Sequence, residues 1–170
     1  EDFASALKPL RALAGAASVS LSQLDGDLSD AGAWQFRAAV RPRRLSIDAP
    51  EFAPPVVLDG GQMLITQQEA QFQSVKASSL DAAVTLSGLA QSTRKGVLAL
   101  RGKVEGFLGA QALHWVQHRA ELPREIHLEP PLTVDGVEAS WTRGGTVTAS
   151  GNIKFADGPA IGFAVQRSGQ

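Results

Sequence analysis

Period-two alternation of apolar and polar residues recurs along this chain. Successive side chains of a β-strand point to opposite faces of its sheet, so such alternation marks a strand with one dry face and one wet face. Val147, Ala149, Gly151, Ile153 and Phe155 alternate with Thr146, Thr148, Ser150, Asn152 and Lys154. Ala156-Asp157-Gly158-Pro159 then supplies a turn, and Ile161, Phe163 and Val165 resume the apolar side. This predicts a β-hairpin. Upstream, Val19 and Leu21 alternate with serines before Asp25-Gly26. Trp34, Phe36, Ala38 and Val40 alternate with Gln35, Arg37 and Arg41; Leu45 and Ile47 lie between Arg44, Ser46 and Asp48. Ala82, Val84 and Leu86 follow the same rule, as do Leu98, Leu100 and Val104 against Arg101, Lys103 and Glu105. The expected fold is mainly β, a largely antiparallel sheet with one wet face.

Two stretches carry helical spacing instead. Phe3, Ala6, Leu7, Leu10, Leu13 and Ala14 suggest an N-terminal helix, kinked or started at Pro9. Phe107 to Ala120 carries Leu108, Ala112, Leu113 and Val116, with Pro123 as a stop. Glu51-Phe52-Ala53-Pro54-Pro55 and Glu129-Pro130-Pro131 read as extended connections, and Asp59-Gly60-Gly61 as a hairpin turn. Val84-Thr85-Leu86-Ser87-Gly88 echoes Val147-Thr148-Ala149-Ser150-Gly151, either as ordinary strands bulging at glycine or as a diverged hairpin repeat. No linker divides the chain, so residues 1–170 read as one β-rich domain.

Composition excludes several function classes. Sixteen Lys and Arg against seventeen Asp and Glu leave no concentrated basic surface for nucleic acid, and Arg41, Arg43 and Arg44 around Pro42 read as a solvated turn. The absence of cysteine removes disulfides, thiolate catalysis and Cys-based metal sites. No apolar run reaches the roughly 18 residues of a membrane span, and the chain does not open on a basic-then-apolar stretch with a cleavage motif, so a secretory signal is missing or already removed. The sequence therefore reads as a mature product or an excised segment.

Catalytic motifs fare no better. His114 and His118 are one helical turn apart, and Glu121 offers a third ligand; a zinc-protease helix, however, needs Glu where Trp115 stands. His127 falls in an expected strand. Ser87-Gly88 and Ser150-Gly151 lack the nucleophile elbow, and Asp25, Asp27 and Asp30 lack the later Gly and Glu of a calcium loop. The chain reads as non-enzymatic, with no cofactor and no metal.

The order of several motifs resembles the bacterial AsmA-like family, in its YhdP/TamB branch of inner-membrane-anchored periplasmic proteins. Those motifs are Trp34-Gln35-Phe36, Leu45-Ser46-Ile47-Asp48-Ala49-Pro50, Pro55-Val56-Val57-Leu58-Asp59-Gly60-Gly61 and Phe72-Gln73-Ser74-Val75-Lys76-Ala77. Leu80 to Gly88 and Trp141 to Gly151 complete the set, and the resemblance covers most of Trp34 to Val165. It implies a segment of a larger protein: a U-shaped sheet with a hydrophobic concave groove that moves phospholipid between inner and outer membranes. It implies phospholipid as the partner, a periplasmic location with anchorage to the inner membrane, and no catalytic residues.

The residues expected to face lipid are Trp34, Phe36, Val40, Leu45, Ile47, Val84, Leu86, Leu98, Leu100, Val147, Ile153, Phe155, Ile161, Phe163 and Val165. Two alternatives stand beside this reading. The same apolar faces can close on one another as an ordinary core, and the chain can act as an envelope scaffold that binds a protein partner through a sheet edge.

Overall fold

A computed structural model of the protein describes residues 12–26, 35–49, 52–93, 96–119, 129–156 and 158–168. Its strands are β1 (Ala12–Asp25), β2 (Gln35–Ala49), β3 (Phe52–Asp59), β4 (Gln62–Thr66), β5 (Glu69–Ser79), β6 (Ala82–Thr93) and β7 (Gly96–Leu108). A helix, α1 (Ala110–Arg119), precedes β8 (Leu132–Thr142), β9 (Thr146–Phe155) and β10 (Ala160–Ser168). All ten strands form one curled sheet in which every pairing is antiparallel. Strands adjacent in sequence pair with one another, apart from the arrangement at β3 and β4. The β9–β10 hairpin forms as the alternation predicts, with Ile153 opposite Ile161.

Asp59-Gly60-Gly61 is not a hairpin turn. Leu45 of β2 faces Leu58, and Val40 faces Met63, so an equal step along each chain joins the β3 and β4 pairings. On the other side, β5 keeps the same register, with Ala77 against Leu58 and Phe72 against Met63. β3 and β4 are therefore two halves of one strand position, interrupted by Gly60 (φ 78°) and Gly61 (φ 72°). The ten strands fill nine positions. A glycine pair serves a tight turn and a bulge by the same freedom at positive φ, which is why its sequence reads as either.

This interruption belongs to a crease that crosses the sheet. Arg44 (φ 52°) lies beside it in β2 and Ser74 (φ 49°) in β5, each at a shift of register. Farther along, Gly88 faces Gly102, Gly136 (φ 62°) breaks the β8 register, and Gly151 faces Phe163. Bulges bend a strand and increase its local twist, so a line of them curls the whole sheet. Ser74 N–H donates to Ser87 Oγ across the crease at 3.1 Å. The echo between residues 84–88 and 147–151 has a physical basis here, since both segments carry their glycine to this line.

Several expectations need correction. Arg41, Arg43 and Arg44 are exposed but belong to β2 and its bulge, not to a turn. Residues 52–55 open β3 and are not a mere connection. Leu13 and Ala14, assigned to an N-terminal helix, are in β1; Phe3, Ala6, Leu7, Pro9 and Leu10 lie outside the described residues. The second helix forms but starts at Ala110, because Phe107 and Leu108 complete the β7 ladder opposite Ala83 and Ala82. Short apolar runs fit both periods, and here the neighbouring strand decides.

α1 is anchored at its start by the β5–β6 turn. The Asp81 carboxylate accepts from Gln111 N–H at 3.0 Å and Ala112 N–H at 2.8 Å, while Gly109 N–H donates to the Asp81 carbonyl at 3.2 Å. These helix-start donors otherwise lack partners. The Gln111 and Ala112 amides hold the Asp81 carboxyl below its ordinary value of 3.8. The folded state therefore binds this proton less tightly than the unfolded chain. Its contribution is complete above 3.8 and is lost as pH falls below that value through the folded one. Hydrogen exchange at Gln111 and Ala112 is expected to accelerate in Asp81→Ala near neutrality, and in the wild type only as the carboxylate protonates.

Candidate functional site

The register assembles one apolar face from all nine strand positions. One transverse row runs Val19, Val40, Met63, Phe72, Gly88, Gly102, Ala139, Ala149, Val165, each residue opposite the next. A parallel row runs Leu45, Leu58, Ala77, Val84, Gly106, Val134, Ile153, Ile161. Neither row contains a polar side chain. Paired residues across a ladder share a face, and Leu58, Met63, Val75 and Ala77 form a cluster with Val40, Leu45, Ile47, Phe72, Val84 and Leu86, joining the two rows. The opposite face carries rows such as Ser20, Ala39, Leu64, Gln71, Leu89, Arg101, Ser140, Thr148, Gln166, mixed in polarity. The Lys103–Glu105 ion pair also lies there.

The bulges explain how residues of unlike parity meet. Phe36 and Val40 sit at even positions of β2, Leu45 and Ile47 at odd ones; the extra residue at Arg44 returns both pairs to one face. Ser74 does the same for Phe72 and Val75, and Gly136 for Val134 and Val137.

Of the residues expected to face lipid, Phe36, Val40, Leu45, Ile47, Val84, Leu86, Leu100, Val147, Ile153, Phe155, Ile161, Phe163 and Val165 fall on this face. Leu98 sits at a register shift between Val97 and Ala99, and Trp34 lies outside the described residues. Sequence reasoning missed Leu58, Met63, Val75, Ala77, Val134 and Trp141 on the same face. Bulges interrupt the alternation around most of them, and only their pairing partners reveal their side.

Among the described residues no second sheet packs on this one, and α1, with Ala112 and Leu113 buried, is the one element outside the sheet. The substantial contacts between elements are those of the ladders, plus α1 against β7. Leu13, Val19, Leu21, Leu24, Leu100 and Val165 remain 47–64% exposed. Burial on the apolar face falls in two places: beside the crease, where Val75 and Pro42 are buried, and in β8, where Leu132 and Val134 are buried, as are Ala112 and Leu113 of α1. A closed two-layer core would bury the β1 and β10 positions too.

A separate open cleft of about 530 Å³ lies between α1 and the β5–β6 turn, lined by Pro54, Leu80, Ala110, Gln111, His114, Trp115 and His118. The His114 and His118 rings meet edge to face, 4.5 Å apart, on the exposed side of α1. Glu121 and His127 lie outside the described residues, among which no group of three or more His, Cys, Asp or Glu residues is arranged to hold a metal. Among those residues, too, no helix is long and apolar enough to cross a membrane. No family model matches the chain, and neither a curated protein nor a solved structure matches it.

Proposed function

We propose that the chain is a non-catalytic, lipid-binding and lipid-conducting segment of a periplasmic intermembrane phospholipid transport protein, with the apolar face lining a concave groove. The observation that carries this reading is the unbroken apolar row from Val19 to Val165, on which no second sheet packs among the described residues. Eight inter-strand spacings of about 4.8 Å make this surface about 38 Å wide. An acyl chain moving from water onto it gains about 0.8 kcal/mol per buried methylene. A sheet provides this lining without a recognition motif. On this reading the apolar side is the inside of the curl, and the burial of Val75 beside the crease supports it.

Mass spectrometry of organic extracts from the purified chain tests the reading. Phospholipid is expected in the wild type and in Gln71→Asp, an exposed position on the opposite face. Leu100→Asp, 47% exposed, and Phe163→Asp, half-buried, are each expected to retain about tenfold less, because a carboxylate opposes acyl contact there while the fold persists. Extracts without lipid, or equal amounts in all four proteins, would overturn the proposal.

A further inference from the structure

The apolar face is unequally accessible at the two ends of its interior strands. Across β7, β8 and β9, Leu100, Trp141 and Val147 form one row of the ladder, and Leu108, Leu132 and Phe155 another at the opposite end. In the first row Leu100 is 47% and Val147 39% exposed; at the other end Leu132 and its same-face neighbour Val134 are 4% and 9% exposed. Pairing is alike in both rows, so the ladders do not account for the difference. α1 does, because it begins just beyond Leu108, the residue opposite Leu132. At 3.6 residues per turn, Ala112, Leu113 and Val116 share one side of α1, and Ala112 and Leu113 there are buried. Gln111, His114, Trp115 and His118 take the other side and line the outer cleft with Pro54 and Leu80.

We infer that α1 is a lid: its Ala112–Leu113 side covers Leu132 and Val134, closes that end of the apolar face, and is latched by Asp81. What the lid admits rests on the lipid reading above. Acyl chains reach the face from the Leu100–Val147 end while α1 is latched, and along its full length once α1 lifts. A helix of ten residues is shorter than the roughly 12–15 at which isolated helices become marginal in water, so α1 depends on its anchor. That anchor is the Asp81 carboxylate on Gln111 N–H and Ala112 N–H, with Gly109 N–H on the Asp81 carbonyl. Gly109 makes the close approach possible, since a β-carbon there would displace the Asp81 carboxylate. The strands are held by whole ladders, and α1 by this anchor and one buried side, so α1 is the element that opens first.

The chain has no cysteine, so a single introduced thiol reports on its own position. Maleimide labelling of Val134→Cys is expected to be slow in the otherwise wild-type chain, and faster by about tenfold or more once Asp81→Ala or Gly109→Val is added. Leu100→Cys should label at one fast rate in all three backgrounds. Asp81→Asn keeps an acceptor oxygen and should hold Val134→Cys near its slow rate. Val75→Cys, beside the crease, should stay unreactive throughout, which separates a lifted α1 from an unfolded sheet. Equal rates at Val134→Cys with and without the latch would overturn the lid. So would labelling of Val75→Cys in both unlatched backgrounds, since α1 would then be integral to the sheet. Phosphatidylcholine vesicles added to the same proteins test the lipid reading apart from the lid. They should protect Leu100→Cys in every background, and Val134→Cys once α1 is unlatched. No protection at either position would overturn the groove, while the thiol rates alone decide the lid.

Discussion

Val75→Asp is expected to abolish the folded state, whereas Val19→Asp on the same apolar face leaves it intact. The substitution is chemically identical in both places, and the surroundings decide the outcome. Val75 is 0% exposed and packs with Leu58, Met63 and Ala77 beside the crease. A carboxylate there has neither water nor a hydrogen-bond partner, at a cost of several kcal/mol, comparable to the total stability of about 5–15 kcal/mol for a domain. Val19 is 64% exposed, so its carboxylate stays hydrated and the change should remain within about 0.5 kcal/mol. Thermal melts followed by circular dichroism separate the cases: no cooperative transition for Val75→Asp, and a shift within about 2 °C for Val19→Asp. Loss of both transitions would mean that a second layer covers β1 and that the apolar face is an ordinary core.

Gly61→Val should destabilise nearly as severely, by about 3 kcal/mol or more, while Gly60→Ala costs about 1–2 kcal/mol. Both glycines have positive φ, which a β-carbon disfavours. They differ in their surroundings. A β-carbon on Gly61 would lie 2.6 Å from the Ser74 carbonyl carbon and 2.7 Å from Val75 Cα, forcing apart the backbones of β4 and β5. At Gly60 nothing lies within 4 Å, so only the conformational cost remains. Melting midpoints should rank wild type, then Gly60→Ala, then Gly61→Val. Equal losses would show that the crease is held by conformation alone and not by close backbone approach.

The strands were legible wherever two or three alternating pairs stood between turn residues, as from Thr146 to Val165. The apolar face was legible for the same reason, because a residue's side depends on local parity. Parity fails at a bulge, however, and a bulge is invisible until two strands are aligned. Arg44 and Ser74 carry no turn signature, yet both have positive φ, on either side of Gly60 and Gly61 in the strand position between them. Phe107 and Leu108 fit the helical spacing of the residues that follow, yet their backbone groups are claimed by β6 and β8. The Asp81 cap, thirty residues before its helix, has no local signature at all. What the sequence concealed was long-range pairing; what it exposed was short-range pattern.

A single layer also changes how stability is shared. With each described strand resting mainly on its ladder neighbours, interactions propagate as in a one-dimensional array, and each interior strand links the portions on either side. Cooperativity is then relayed from one position to the next, and not pooled in a common centre. Such an array opens by fraying from its ends, so an added strand that protects an end raises the free energy of opening for the positions behind it.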